Sequence, residues 1–274
     1  MIYTDLANEA YKLYNVDIKG IKHDESIVNG VKVETVEILN DDAAEKLGKA
    51  TGKYITLTDN YGIERDRARH RNLGEALSKC IKRLLPHSNR LTLVVGLGNR
   101  SMTPDALGPY TMDNVMVTRH MLQLFPEMLD KRIKSVCCFA PSVMGVTGIE
   151  SADIIKAICR EIRPSCIIAV DSLAAADEAR IGDTIQLCDT GIAPGAGVGN
   201  RRAGINVDSV GVPVIAIGVP VVVRMKRQQN DNEMLVTPKN IDAIISDSSQ
   251  IIAHGINRAL HDNITDEEIA DFMY

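Results

Sequence analysis

Two aspartates occupy positions from which a carboxyl group can do chemistry. Asp105 sits in "VVGLGNRSMTPDALGP", Val94 to Pro109, where an apolar run ends at Gly96 and Gly98. Asp171 opens "DSLAA", directly after the apolar run Cys166–Val170. Taken singly, an aspartate beyond a strand is often a helix cap. Taken together, two close carboxyls cannot both ionise cheaply, so one remains an acid while the other serves as a base. Such a pair activates a water and protonates a leaving amine, which is the chemistry of an acid-type peptidase.

A phosphate cradle is the competing reading of the same loop. Gly96-x-Gly98 lacks the third glycine of a dinucleotide fingerprint, since Ser101 stands there, and no Lys-Ser or Lys-Thr follows. Glycines at 195, 197 and 199 form a second loop that opens no clear helix. Backbone N–H groups of Gly96, Gly98 and Asn99, or of Gly195, Gly197, Gly199 and Asn200, are candidates to hold an oxyanion, because glycine permits close approach. Arg100, Arg201 and Arg202 stand in or beside these loops, either as plain solvated charges or, given the cleavage after an acid that the resemblance described below implies, as candidates for the subsite that accepts the acidic side chain.

The elements that must position these residues alternate in type. Strands are expected at Val31–Leu39, Tyr54–Thr58, Leu91–Val95, Ser135–Ala140, Cys166–Val170, Thr184–Cys188 and Val214–Val219. Helices are expected at Asp42–Lys49, Leu73–Leu85, Thr111–Leu124, Ser151–Ile162 and Ile241–Leu260, and an exposed loop at Arg224–Glu233. The pattern implies an α/β protein with a mainly parallel sheet flanked by helices. Functional groups in such a sheet collect beyond the carboxyl ends of the strands, and Asp171 is expected to cap its strand there.

Composition narrows the classes. The chain has 274 residues, 45% hydrophobic and 24% charged, with a formal net charge of −5. That charge leaves no footprint for direct nucleic-acid binding. The apolar run Val212–Val223 is cut by Pro213, Gly218 and Pro220, so no membrane span is expected, and the N-terminus has no secretory pattern. The expected location is the cytoplasm. The six cysteines form no Cys-x-x-Cys pair and the six histidines show no ligand spacing, so neither a metal nor a cofactor is expected.

The chain resembles the germination proteases of spore-forming bacteria. The likeness is carried by "TDLANEA" (Thr4–Ala10), Val94–Pro109, "TRHM" (Thr118–Met121), "GVTGIES", "DSLAA", "GIAPGAGVGN", "GVPVIAIGVP" and "LVTPKNID". It implies an aspartic-type endopeptidase with Asp105 and Asp171 as the catalytic pair. It also implies small acid-soluble spore proteins as substrates, a homotetramer, and a place in the forespore and spore core. A self-processing zymogen is implied too, cut between Asp5 and Leu6. This gives a short pro-segment, 1–5, and one peptidase domain, 6–274, with a possible smaller subdomain at 6–60. The pro-segment is expected to be mobile enough to enter the site as an extended chain. The family in turn is similar in core fold to the hydrogenase maturation endopeptidases, which bind a metal through two acids and a histidine. Asp105 and Asp171 match the acids, and the glycine-rich loop after Cys188 offers no histidine. A metal-dependent maturation-type endopeptidase, a non-catalytic ligand-binding α/β domain and an inactive scaffold are the alternative readings. Relative to longer family members, this chain has a short pro-segment and only Arg224–Met234 where they carry an insertion.

Overall fold

The structure, a computed structural model, describes residues 4–14, 18–59, 67–88, 90–128, 130–195, 202–226 and 233–273. In chain order it runs α1 (Ala7–Leu13), β1 (Ile21–Val28), β2 (Val31–Ile38), α2 (Asp41–Leu47), β3 (Gly52–Thr58), α3 (Arg67–Leu84) and β4 (Leu91–Gly96). It continues through α4 (Leu107–Met112), α5 (Arg119–Leu124), β5 (Ser135–Phe139), α6 (Met144–Thr147), α7 (Ser151–Ile162) and β6 (Cys166–Ala175). The last third holds β7 (Thr184–Cys188), α8 (Val207–Val210), β8 (Val214–Lys226), β9 (Glu233–Val236), α9 (Ile241–Leu260) and α10 (Asp266–Met273).

All these strands form one sheet, in the order β1-β2-β3-β7-β8-β6-β4-β5, with β9 on β8. Strands β8, β6, β4 and β5 pair in parallel, while β1, β2, β3, β7 and β9 join by antiparallel pairing. The parallel strands are apolar along most of their buried length because helices cover both faces, with Thr92 and Asp171 as buried polar exceptions. On one face, α3 and α9 bury Leu77, Ile81, Ile252 and Ile256 against Val94, Ile168 and Ile217. On the other, α7 buries Ile155 and Cys159 against Leu93, Val95 and Ile167, and α1 buries Ala7 and Ala10 beside Cys188 and Ala216. Each fully buried Leu, Ile or Val among these contributes roughly 1.5–3 kcal/mol.

The connection after β4 leads to β5 on one side, and the next crossover, through α7, delivers β6 to the other side of β4. The two loops therefore diverge at the carboxyl ends of β4 and β6, opening a crevice at a topological switch point. Segment 6–60 adds its three strands to this same sheet through the β3–β7 pairing.

The structure corrects several local expectations. β6 does not stop at Val170: β8 pairs with it from Ile167 to Ala175, across an irregularity at Leu173/Ala174, so Asp171 lies inside the strand rather than capping it. The helix expected at Thr111–Leu124 is two helices. Between them, the Met116 N–H donates to Asn257 Oδ1, Asn257 Nδ2 donates to Asn114 O, and the Thr118 N–H donates to Val136 O. These partners draw the backbone away from the i→i−4 ladder. The loop expected at Arg224–Glu233 begins and ends as the paired strands β8 and β9, and 227–232 lies outside the described residues. Helix α1 and strand β1 were not foreseen. No described helix is long and apolar enough to cross a membrane.

Candidate active site

Asp105 is mounted by close backbone packing at the end of β4. Gly96 lies against the Gly108 carbonyl, and Gly108 lies against Leu97 and the Val170 carbonyl, so either side chain would push α4 off the sheet. Gly98, at φ +107°, brings the chain against Asp105, whose main-chain oxygen occupies the space of a Cβ. The Asn99 N–H donates to Asp105 Oδ2 at 2.9 Å, while Asn99 Oδ1 accepts from the Ser101 N–H at 3.0 Å. The Asn99 amide, a candidate oxyanion donor, thus orients a carboxyl group instead. Burial raises the Asp105 carboxyl above its ordinary value, opposed by the Asn99 N–H and the Arg202 charge.

Asp171 belongs to the rigid part of the sheet, in register with Gly218 of β8. It is only 5% exposed, and its Oδ1 accepts from the Ser172 N–H at 2.9 Å. Burial lifts its carboxyl well above the ordinary range; the nearby Asp105 and Asp5 charges push the same way, and Ser172 N–H and Arg202 oppose. Burial and the Asp105 charge thus both disfavour the ionised form of Asp171.

This has a consequence for stability. Asp171 keeps its proton in the folded state above the ordinary value of 3.8, where the unfolded chain loses it. The folded state then binds more protons, so stability falls as pH rises from about that value towards the raised one. Asp171→Asn removes this loss and keeps the acceptor for Ser172. Its melting temperature is expected to exceed wild type by a few degrees at pH 7, at roughly 2–4 °C per kcal/mol. The gap should close near pH 4, as followed by thermal melts across pH.

Both aspartates line one cavity of about 480 Å³, with Asp5, Gly98, Asn99, Gly195 and Arg202 also on its wall. Met102, Pro104, Val143, Val221 and Leu235 give it an apolar rim, and no histidine is among the described lining residues. Of the three candidate arginines, Arg202 is at the aspartates. Arg100 is not: its guanidinium pairs with both Asp113 oxygens at 2.7 and 2.9 Å, donates to Pro109 O, and rests over the Tyr110 ring. Arg201, Gly197, Gly199 and Asn200 lie outside the described residues.

The pro-segment was expected to be mobile; of it, Thr4 and Asp5 are described and both are held in place, while 1–3 lies outside the described residues. The Asp5 N–H donates to Ala174 O at 2.9 Å, and Asp5 Oδ2 accepts from the Ala174 N–H at 2.8 Å. Gln186 Nε2 donates to Asp5 O and Gln186 Oε1 accepts from the Ala7 N–H; Lys49 Nζ donates to Thr4 O. Leu6 is fully buried against Leu173 and Ala175. Sequence reasoning missed Lys49 and Gln186. Gln186 left one signal, a polar residue within the buried strand "TIQLC"; Lys49 left none.

The family model described as Germination protease matches residues 2–232 and 227–273. Among curated relatives, the germination protease of Clostridium perfringens (strain ATCC 13124) is 36% identical, covering 99% of each chain. That of Bacillus subtilis (strain 168) is 33% identical, covering all of this chain and 97% of its own. The first alignment spans 322 positions against 274 residues here, so that relative carries residues this chain lacks. Among solved structures, the NiFe hydrogenase maturation protease HycI from Thermococcus kodakarensis KOD1 is similar over 66% of this chain and 98% of its own, with 14% identity and a TM-score of 0.40. On the family match and these relatives, the chain belongs to the germination protease family and is a protease of spore germination.

Proposed function

We propose that Asp105 and Asp171 together hydrolyse peptide bonds in small acid-soluble spore proteins, and that the chain first cuts itself between Asp5 and Leu6. The observation that carries this reading is a buried Asp171 and a more accessible Asp105 on the wall of one cavity, where burial pushes the Asp171 carboxyl well above its ordinary range. Asp105, with the Asn99 N–H and Arg202 favouring its charge, takes a proton from water as the water oxygen attacks the scissile carbonyl carbon. Asp171 gives its proton to the carbonyl oxygen. In the collapse, Asp105 passes the proton it took to the departing nitrogen, and Asp171 recovers one from the tetrahedral hydroxyl. One water is consumed and the pair returns to its starting state.

The reading is tested by incubating the protein with a small acid-soluble spore protein and mapping the cuts by mass spectrometry. Cuts following an acidic residue are expected, and EDTA should leave the rate of the processed protein within about twofold. A complete loss in EDTA, reversed by a divalent transition metal, would favour the metal-dependent alternative. There Asp105 and Asp171 would be ligands.

A further inference from the structure

A second cavity, of about 270 Å³, lies beside the aspartate cavity and is separated from it by Asp5 and Leu173, which line both. Its wall carries Lys49, Gln186, Tyr54, Cys188 and Asn206. We infer that Lys49, Gln186 Nε2 and the Ala174 N–H form the subsite for an acidic residue of an extended peptide substrate, the Ala174 N–H and the Lys49 charge meeting its carboxylate and Lys49 and Gln186 also holding main-chain carbonyls, and that removal of residues 1–5 opens it. This rests on the self-processing peptidase reading above.

Cutting after Asp5 removes the acceptor from each of three donors. Lys49 Nζ loses Thr4 O (2.7 Å), Gln186 Nε2 loses Asp5 O (2.8 Å), and the Ala174 N–H loses Asp5 Oδ2 (2.8 Å). The same cut frees the Ala174 carbonyl, which now accepts from the Asp5 N–H. One edge position of β6 thus offers a main-chain donor and acceptor, as strand addition requires.

The scaffold around these donors survives the cut. Gln186 stays anchored through Oε1 to the Ala7 N–H at 2.7 Å, and Leu6 stays packed on Leu173 and Ala175. Glu9 keeps its bonds to the Ala176 and Asp177 N–H groups. The cut also takes away the Asp5 carboxylate and leaves a new ammonium on Leu6. Burial disfavours the Lys49 amine as a cation; Asp5 is the first of the groups that support its charge, ahead of Cys188 and Glu9, and the cut removes Asp5 while leaving the other two. A carboxylate in extended main chain restores what Asp5 supplied. The vacated space joins the aspartate cavity, so that acid lies next to Asp105 and Asp171.

Two measurements separate this proposal from the peptidase reading. In the full, uncleaved chain, carried on Asp105→Asn to prevent processing, Lys49→Met should speed hydrogen exchange at the Asp5 N–H about tenfold, the loss of one charge-assisted bond. Unchanged exchange would overturn the contact, whether or not the protein is a peptidase. In the processed protein, paired peptides with Asp or Asn before the scissile bond should differ about tenfold or more in kcat/KM. Lys49→Met should bring them within about twofold, while Lys49→Arg retains the difference. A folded Lys49→Met that still prefers the Asp peptide at the wild-type ratio would overturn the subsite. Should neither peptide be cut, the peptidase reading fails, and binding of the Met1–Asp5 pentapeptide against the same peptide carrying Asp5→Asn decides the subsite: equal affinities overturn it.

Discussion

Asp105→Asn and Asp171→Asn should each lower the rate of peptide cleavage by about 10³-fold while leaving a folded chain. Asparagine keeps the shape and one acceptor oxygen, so the Asn99 and Ser172 N–H bonds have a partner in each variant. What is lost is the proton. In the proposed mechanism, losing Asp105 removes the group that takes a proton from the attacking water, and losing Asp171 removes the group that gives one to the carbonyl oxygen. In the proposed mechanism the two act as one unit, so the double variant should be no slower than either single variant by more than a small factor. Circular dichroism and cleavage of the same preparations check this, and near-normal cleavage by either folded variant would contradict the pairing.

The second large effect is on the N-terminus. Wild type held at mildly acidic pH should lose Met1–Asp5 and gain activity, whereas Asp105→Asn should stay at full length. Residues 4–6 are docked, with Leu6 buried, so the segment must open locally before it can be cut. Inhibition then follows from Asp5 standing between the two cavities, which needs no large folded pro-domain. Intact mass followed alongside activity checks the order of events. Full activity with Met1–Asp5 still attached would contradict the zymogen reading.

Much of this architecture was legible because apolar spacing is a local property. Helices Ser151–Ile162 and Ile241–Leu260 have the bounds that their periodicity implies, and each strand of the parallel core was visible as a short apolar run. Asp105 and Asp171 stood out because acids after buried strands in an α/β chain fall at the switch-point rim. What was not legible depends on distant partners. Strand β1, "IKHDESIV", is polar and exposed along an edge, so no hydrophobic pattern marks it. β6 continues past Asp171 because β8, far along the chain, keeps pairing with it. The break at 113–118 is dictated by Asn257. Arg100 and Arg202 look alike as sequence, yet Asp113 holds one away from the cavity while the fold brings the other to it. The docking of Thr4 by Lys49 and of Asp5 by Gln186 and Ala174 draws on three separate segments, and only tertiary structure assembles them.

The central claim is that two carboxyls sharing a proton carry the hydrolysis, and the pH dependence of kcat/KM for the processed protein tests it most directly. The account predicts a bell: a rising limb as the first carboxyl ionises, and a falling limb at higher pH as the pair gives up the proton that burial holds on Asp171. Both limbs belong to the pair. A rate that keeps rising through neutral pH with no falling limb, as a metal-bound hydroxide would give, would contradict it.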